Sequence, residues 1–304
     1  GKSGVIATNH TYHGNTTAVA ALSTTNAPPG QSTSRVRHVA APDSYRPPAL
    51  NHAQAFAEDV ARAIHELEQA GCGFSALIVC PFFANEGFPA LEPGFLDPAL
   101  EIVRAAGGLL ICDEVQCGFG RIGSHMWGHE RMKCAPDIVT LGKPMANGHP
   151  VGGVVTTQEY MTAFRFSYRY FNTFGGNPVS CAAALATLDV LEREDLAANA
   201  DRVGAYARDG LARLAGDHHC IGDVRGSGLF FGAEMVLDRE TRAPAREFVN
   251  RVTNAMRQRG VLLNRLGIHY NTLKIRPPMP FSTEHADILL ATLDDVLRET
   301  ALVG

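Results

Sequence analysis

An acidic pair ends one of the apolar runs of the sequence. Four apolar residues, 109–112, are followed directly by Asp113 and Glu114. Short runs of this kind are typical of buried parallel strands, and the ligands of open parallel sheets gather at the carboxyl ends of the strands. A carboxylate at that point could hold a proton on a pyridine nitrogen, which turns a pyridine ring into an electron sink. An aspartate that caps the following helix explains the pair equally well when the pair is considered alone.

A lysine occupies the same kind of position farther along the chain. The apolar run 138–141 is followed by Gly142, Lys143 and Pro144. Burial disfavours an ammonium ion and lowers its pKa, so that the free amine can act as a nucleophile. Taken alone, Lys143 is more simply a lysine that extends from the rim of a sheet into solvent. Together with Asp113 it suits pyridoxal phosphate (PLP), which needs an amine for its aldehyde and an acid for its ring nitrogen.

Two further segments contain residues that suit such a cofactor. Tyr12, His13 and Gly14 follow the first apolar run of the chain. An aromatic ring there could stack on the cofactor, and a glycine would allow close approach of the backbone. Residues 171–178 include Thr173 and two glycines, which would suit a phosphate group. An ordinary loop after a strand and a turn before a helix are the structural alternatives.

The elements that would position these residues alternate between short apolar runs and stretches with helical spacing. The predicted strands cover 5–9, 76–80, 109–112, 138–141 and 153–156, and the helices between them cover 54–70 and 98–106. This alternation predicts an α/β unit with a central, mostly parallel sheet and flanking helices.

The pattern changes after residue 178. Helices are predicted over 179–192, 196–214, 245–259 and 285–300, and strands over 228–235 and 273–275. This order is typical of an α+β unit. We therefore predict a large domain over residues 1–185 and a C-terminal small domain over residues 186–304.

The composition argues against several classes of protein. The 304 residues carry a net charge of −4 without a basic stripe, so neither nucleic acid nor an anionic membrane is an expected partner. No apolar run approaches the roughly 18 residues that span a bilayer. The seven cysteines form no C-x-x-C pair, so neither a disulfide framework nor a metal site is predicted. We expect a cytoplasmic protein.

Three runs of sequence resemble one known family. They read ICDEVQCGFGRIG, PDIVTLGKPMANGHPVGGVVTT and YFNTFGGNPVSC, and they begin at Ile111, Pro136 and Tyr170. In their residues, order and spacing they are similar to the class III aminotransferases, which are PLP enzymes of fold type I. The resemblance covers essentially the whole chain, and it implies that the domain over 1–185 binds PLP.

The resemblance also implies roles for individual residues. Lys143 would form the Schiff base with PLP, and Asp113 would pair with the pyridinium nitrogen. The other cofactor contacts that it implies are Tyr12, His13, Gly14, Val115, Gln116 and Thr173. Thr173 would reach the phosphate of the PLP in a second copy, so the family pattern implies a homodimer whose active site is shared. Asp137 and Glu114 match motif positions but are expected to have structural roles.

Three features depart from the family pattern. A phosphate-binding segment expected upstream of Val5 is not in this sequence, so the large domain is expected to be incomplete at its N-terminus. Cys80 stands where many members have a glutamate that pairs with an arginine, and Glu86 is a poor substitute by position. Lys274 stands where transaminases have an arginine that binds an α-carboxylate, and a lysine lacks its bidentate fork. Lys274 and Arg276 are the predicted substrate-binding residues.

These features leave the reaction open. We place first a transaminase that moves the amino group of a small amine or amino acid to a 2-oxo acid, because transamination is the commoner activity of the family. A phospho-lyase that acts on O-phosphoethanolamine or a similar substrate is the close alternative, which the runs PDSYR (42–46) and LKIRPPM (273–279) favour. A non-catalytic PLP-fold module of a larger chain is the third interpretation, and the Asp113–Lys143 pair argues against it.

Overall fold

Two sheets make up the framework of the molecule. A computed structural model describes residues 1–24, 30, 33–48 and 51–300. The first sheet has six strands and the second has five. Among the described residues, no helix has the length and apolar character needed to cross a membrane.

The larger sheet is mostly parallel, as predicted. Its strands are β1 (Gly4–Thr8), β2 (Val36–Val39), β3 (Phe74–Val79), β4 (Leu109–Asp113), β5 (Ile138–Leu141) and β6 (Gly153–Thr156). They lie in the order β2-β1-β3-β4-β5-β6, and β6 alone pairs in the antiparallel direction. The sequence prediction missed β2, whose Arg37 and His38 break the apolar pattern.

Helices flank the larger sheet. They are α1 (Thr17–Ala20), α2 (His52–Gln69), α3 (Asp97–Ala105), α4 (Gly128–Met132), α5 (Gln158–Ser167) and α6 (Pro178–Arg193). The side chain of Asn51 caps α2 by accepting a hydrogen bond from the Ala53 amide at 2.9 Å. The apolar face of α2 packs with β3 and β4 into one buried cluster that includes Phe56, Leu77 and Leu110.

The second sheet is antiparallel and is packed against the last three helices. Its strands are β7 (Ile221–Ser227), β8 (Phe230–Asp238), β9 (Ala243–Pro244), β10 (Asn264–Leu266) and β11 (Thr272–Ile275), in the order β10-β11-β8-β7 with β9 on β8. The helices are α7 (Leu196–Asp217), α8 (Arg246–Gln258) and α9 (Thr283–Glu299). They share a second buried cluster with the strands. α7 passes so close to the β7–β8 turn that a Cβ at Gly204 would lie 1.9 Å from the Gly228 carbonyl oxygen.

A third apolar cluster joins the two sheets. The Phe82 ring, from the segment after β3, stacks on Phe230 of β8 with their ring centroids 5.5 Å apart. Cys80, Cys117 and Leu266 are buried in the same cluster. This contact holds β8 and β10 against the segments that follow β3 and β4, at the carboxyl edge of the larger sheet where the predicted catalytic residues lie.

Candidate functional site

The ends of two neighbouring strands bring Asp113 and Lys143 to one edge of the sheet. Asp113 is the last residue of β4 and pairs in register with Thr140 of β5. Lys143 follows β5 after Gly142 and begins a short 3₁₀ turn, Lys143–Ala146. Pro144 suits this turn because it has no amide hydrogen to satisfy at the first turn of a helix. The two residues therefore lie together where the sequence predicted them.

A histidine holds the Asp113 carboxylate in place. His13 Nδ1 lies 2.6 Å from Asp113 Oδ2, and the Val115 amide donates to Asp113 Oδ1 at 3.0 Å. The other ring nitrogen of His13 lies 2.8 Å from the Thr11 hydroxyl. The side chains of His13 and Asp113 are only 1% and 8% exposed, so this pair is shielded from water. A short bond of this kind fixes the orientation of the carboxylate.

The amine of Lys143 is easier to deprotonate than that of an ordinary lysine. Its pKa is lowered mainly by burial of the ammonium group, although the residue as a whole is exposed in the single chain. The charge of Asp113 opposes this shift, whereas that of Arg276 adds to it. The Nζ atom lies 5.6 Å from the centroid of the Tyr12 ring. This environment suits a nucleophile or a base.

A second lysine, Lys274, lines the same site. Lys274 of β11 donates through Nζ to Gln116 Oε1 at 3.1 Å, and Gln116 donates to Asn85 Oδ1 at 3.3 Å. Burial, with help from the nearby charge of Arg276, lowers the pKa of Lys274 to about 8. Lys274 therefore changes its charge close to neutral pH.

Two cavities meet at Lys143. One has a volume of about 430 Å³ and contains Tyr12, Gln116 and both predicted substrate-binding residues. Its basic lining residues are His10, Lys143, Arg265, Lys274 and Arg276, and none of the described residues that line it is acidic. The other cavity has a volume of about 790 Å³ and contains Val115, Gln116 and Pro144. A small anionic amine would find both an amine base and several cations in the first cavity.

Gly14 and Thr173 are the remaining predicted cofactor residues, and they lie in different parts of the chain. Gly14 has a φ of 139°, a backbone conformation that glycine adopts more readily than other residues. Thr173 is exposed in the segment before α6 and lines neither cavity. The chain therefore does not bring Thr173 to its own Lys143.

Glu114, for which a structural role is expected, and Glu86 are both buried. Glu114 accepts hydrogen bonds from the Gly128 and His129 amides, each at 2.8 Å, and thereby holds the start of α4. Glu86 Oε1 accepts a hydrogen bond from the Thr8 hydroxyl at 2.5 Å, and burial raises the pKa of Glu86. Glu86 lines neither cavity that contains Lys143.

Sequence reasoning missed several residues of the smaller cavity. His10 lies in the same loop as Tyr12, so its position after a strand was a usable signal. Asn85, Arg265 and Tyr270 come from segments whose approach to Lys143 depends on the packing between the two sheets. No local pattern in the sequence indicates that packing.

Comparison with known proteins gives one family. A sequence model described as Aminotransferase class-III matches residues 1–297. The chain is 41% identical over 298 residues to an alanine–glyoxylate aminotransferase 2-like protein of Drosophila melanogaster, covering 94% of this chain and 60% of that protein. It is 37% identical over 311 residues to the ethanolamine-phosphate phospho-lyase homolog 1 of Caenorhabditis elegans, covering 96% of this chain and 67% of that protein.

A solved structure is similar over nearly the whole chain. It is an Arthrobacter phospholyase in complex with phosphoethanolamine, with a TM-score of 0.93 and 43% identity. The match covers 99% of this chain and 72% of that one. The family and these structural neighbours establish a fold type I architecture and imply PLP as the cofactor.

Proposed function

The chain belongs to the class III aminotransferase family, and we propose that it eliminates phosphate from a small phosphorylated amine with the help of PLP. The observation that carries this proposal is the cavity beside Lys143, which has basic lining residues and no acidic ones among those described. A phosphate monoester carries a charge of roughly −1.5 to −2 near pH 7, and such a cavity would favour it. The similarity to the phosphoethanolamine-bound phospholyase supports the same reaction.

The residues present fit PLP. A buried carboxylate held by His13, an amine whose pKa is lowered and a nearby tyrosine ring form the donor set that the cofactor needs. We propose that Asp113 pairs with the ring nitrogen and that Lys143 holds the cofactor covalently through Nζ. Tyr12, Gly14, Val115 and Gln116 would surround the ring. When bound, PLP supplies an electron sink for negative charge on the carbon next to the substrate nitrogen.

Lys143 would then act as the base. When Nζ is free, it would take the proton from the carbon that bears the substrate nitrogen. The lowered pKa of Lys143 favours this step because a neutral amine is available closer to neutral pH. His13 keeps the Asp113 carboxylate in its orientation throughout.

The cationic lining would stabilise the leaving phosphate. Elimination breaks the C–H bond at the amine carbon and the C–O bond to phosphate, and a carbon–carbon double bond forms. The proton passes to Lys143, and the electron pair of the C–O bond leaves with the phosphate oxygen. One water then completes the release of ammonia and an aldehyde. Lys274 and Arg276 line the cavity in which the departing charge would be held.

Transamination is the second candidate, and one observation favours it. Arg276 lies at the cavity beside Lys274, and a guanidinium can bind the carboxylate of a 2-oxo acid through two hydrogen bonds. The Drosophila relative is described as an aminotransferase-like protein. In this reaction Lys143 Nζ would take the same proton, and the amino group rather than a phosphate would leave the substrate.

We also propose that two copies share the site. Large apolar side chains are exposed across α5 and the segment before α6, including Phe166 (89%), Phe171 (84%) and Phe174 (81%). A second copy would cover this surface and would bring a Thr173 hydroxyl near the cofactor phosphate. The division into domains at residues 185 and 186 and the cytoplasmic location remain predictions, and one relative from Arabidopsis thaliana is described as mitochondrial.

The test uses the complete protein that contains this chain, loaded with PLP. Phosphate released from O-phosphoethanolamine is measured with and without pyruvate or 2-oxoglutarate. The proposal expects release that needs no keto acid. Amino transfer to the keto acid without phosphate release would contradict it and would support transamination.

A further inference from the structure

Two buried nitrogen atoms of the smaller cavity have no hydrogen-bond partner. They are His10 Nδ1 and Arg265 Nη1, and no described residue accepts from either of them. Both residues line the cavity that contains Lys143. A buried guanidinium nitrogen without an acceptor has lost its hydration without compensation, and such atoms are uncommon in folded proteins. A bound anion would provide the missing acceptor.

A tyrosine connects these two residues. The His10 ring meets Tyr270 edge-on with their centroids 6.0 Å apart, and Arg265 Cζ lies 5.8 Å from the centroid of the same ring. Both side chains therefore lie beside the same ring, and cation–π attraction restrains the Arg265 guanidinium.

The turn that presents Tyr270 is fixed to the larger sheet. The Tyr270 amide donates to the Gly267 carbonyl at 3.0 Å, and the Gly267 amide donates to the Asn85 carbonyl at 3.0 Å. The side chain of Asn85 in turn accepts from Gln116. Because this chain of contacts ends beside Lys274 and the predicted cofactor site, the unpaired donors are held in a defined place relative to the chemistry.

We propose that Arg265 and His10 form the subsite that binds the phosphate group of the substrate. The inference rests on the proposed function, because it assigns the leaving group of that reaction to named residues. Arg265 supplies a permanent positive charge, and Lys274 adds a second charge from the same cavity. A phosphate has three acceptor oxygens and can therefore accept from Arg265 and His10 at the same time.

A carboxylate is the competing ligand. It carries one charge and two oxygens, and a single guanidinium satisfies it. The cavity offers an unpaired guanidinium nitrogen of Arg265 and an unpaired ring nitrogen of His10, which donates in the tautomer that has its proton on Nδ1. Burial lowers the pKa of His10, so the charge comes from Arg265 and the further cations, and no described lining residue is acidic, which favours the more highly charged group. The subsite would then select phosphorylated amines over amino acids.

The experiment measures the binding of inorganic phosphate to the PLP-loaded complete protein by calorimetry, with acetate as the carboxylate probe. Arg265→Met removes the charge and the unpaired donor. Arg246→Met is the matched control, since Arg246 lies 5.1 Å from the same Tyr270 ring but does not line the cavity. We expect the Kd for phosphate to rise about tenfold or more in Arg265→Met, as for loss of a hydrogen bond to a charged group. The Kd of Arg246→Met for phosphate is expected to stay within about twofold of the wild-type value.

Equal phosphate affinity in Arg265→Met and the wild type would refute the proposed subsite. An equal loss of phosphate affinity in Arg246→Met, or tighter binding of acetate than of phosphate, would refute it as well. If Arg265→Met fails to fold, as judged by its PLP absorbance, Arg265→Gln replaces it with the same expected loss. The binding result for the subsite can be distinguished from the result of the phosphate-release assay that tests the proposed function. Arg265-dependent phosphate binding without phosphate release would retain the subsite and refute the lyase reaction.

Discussion

Lys274 should make the rate of phosphate release fall as the pH rises, and Lys274→Arg should remove this contribution. Its pKa is lowered to about 8, so the side chain is about 90% charged at pH 7 and about 10% charged at pH 9. The cation stabilises an anionic substrate and is lost as the pH rises through that range. The uncharged side chain keeps some activity, so we expect kcat/KM for O-phosphoethanolamine to fall about five- to ninefold between pH 7 and pH 9 through this group alone.

Lys274→Arg and Lys274→Met separate this contribution from the titration of Lys143. Arginine stays charged throughout, so the ratio of wild-type to Lys274→Arg activity should fall about five- to ninefold over the same range. Methionine removes the charge at every pH, and kcat/KM at pH 7 should fall roughly 10- to 150-fold, as for a charged hydrogen bond of about 1.5–3 kcal/mol. The assay is steady-state phosphate release at several pH values, with PLP absorbance as the check on folding. A constant ratio of wild type to Lys274→Arg across the range would refute the reasoning.

Two further predictions concern stability and assembly. Burial raises the pKa of Glu86, so the folded chain keeps this proton to higher pH than the unfolded chain and loses stability as the pH rises above 4.5. The loss in the free energy of unfolding is up to about 1.4 kcal/mol per pH unit, and Glu86→Gln should remove it. Denaturation midpoints that change with pH in the same way in the variant and the wild type, from about pH 5 to 8, would contradict this prediction. Phe166→Asp should shift the protein from dimer to monomer in sedimentation, whereas Leu262→Asp, at a side chain 82% exposed in another part of the chain, should not. An unchanged dimer would contradict the proposed interface.

The sequence was most informative about the larger sheet. The predicted strand over 138–141 agrees with β5 at both ends, and the predicted pair Asp113 and Lys143 lies at the edge where β4 and β5 end. The run 138–141 is bounded by Asp137 and by Gly142 and Lys143, so its limits are visible in the sequence, although β5 is only half-buried in the single chain. β2 was missed because its mixed residues lie at the edge of the sheet, where one side of the strand is unpaired.

The smaller cavity was only partly predictable. Lys274 and Arg276 were identified through their motif, but the partner of Lys274, Gln116, lies 158 residues away in sequence. Arg265 depends on the pairing of β10 with β11 and on the apolar cluster that joins the two sheets. Such contacts arise from tertiary packing and leave no periodicity in the local sequence.

Lys143→Ala provides the most direct test of the central claim that Lys143 holds PLP. The complete wild-type protein should show the visible absorbance of covalently bound PLP, and reduction with borohydride should fix the cofactor to the peptide that contains Lys143. The variant should lose both signals, together with phosphate release from O-phosphoethanolamine. Covalently bound PLP in Lys143→Ala, or a reduced adduct on another lysine of the wild type, would contradict the assignment.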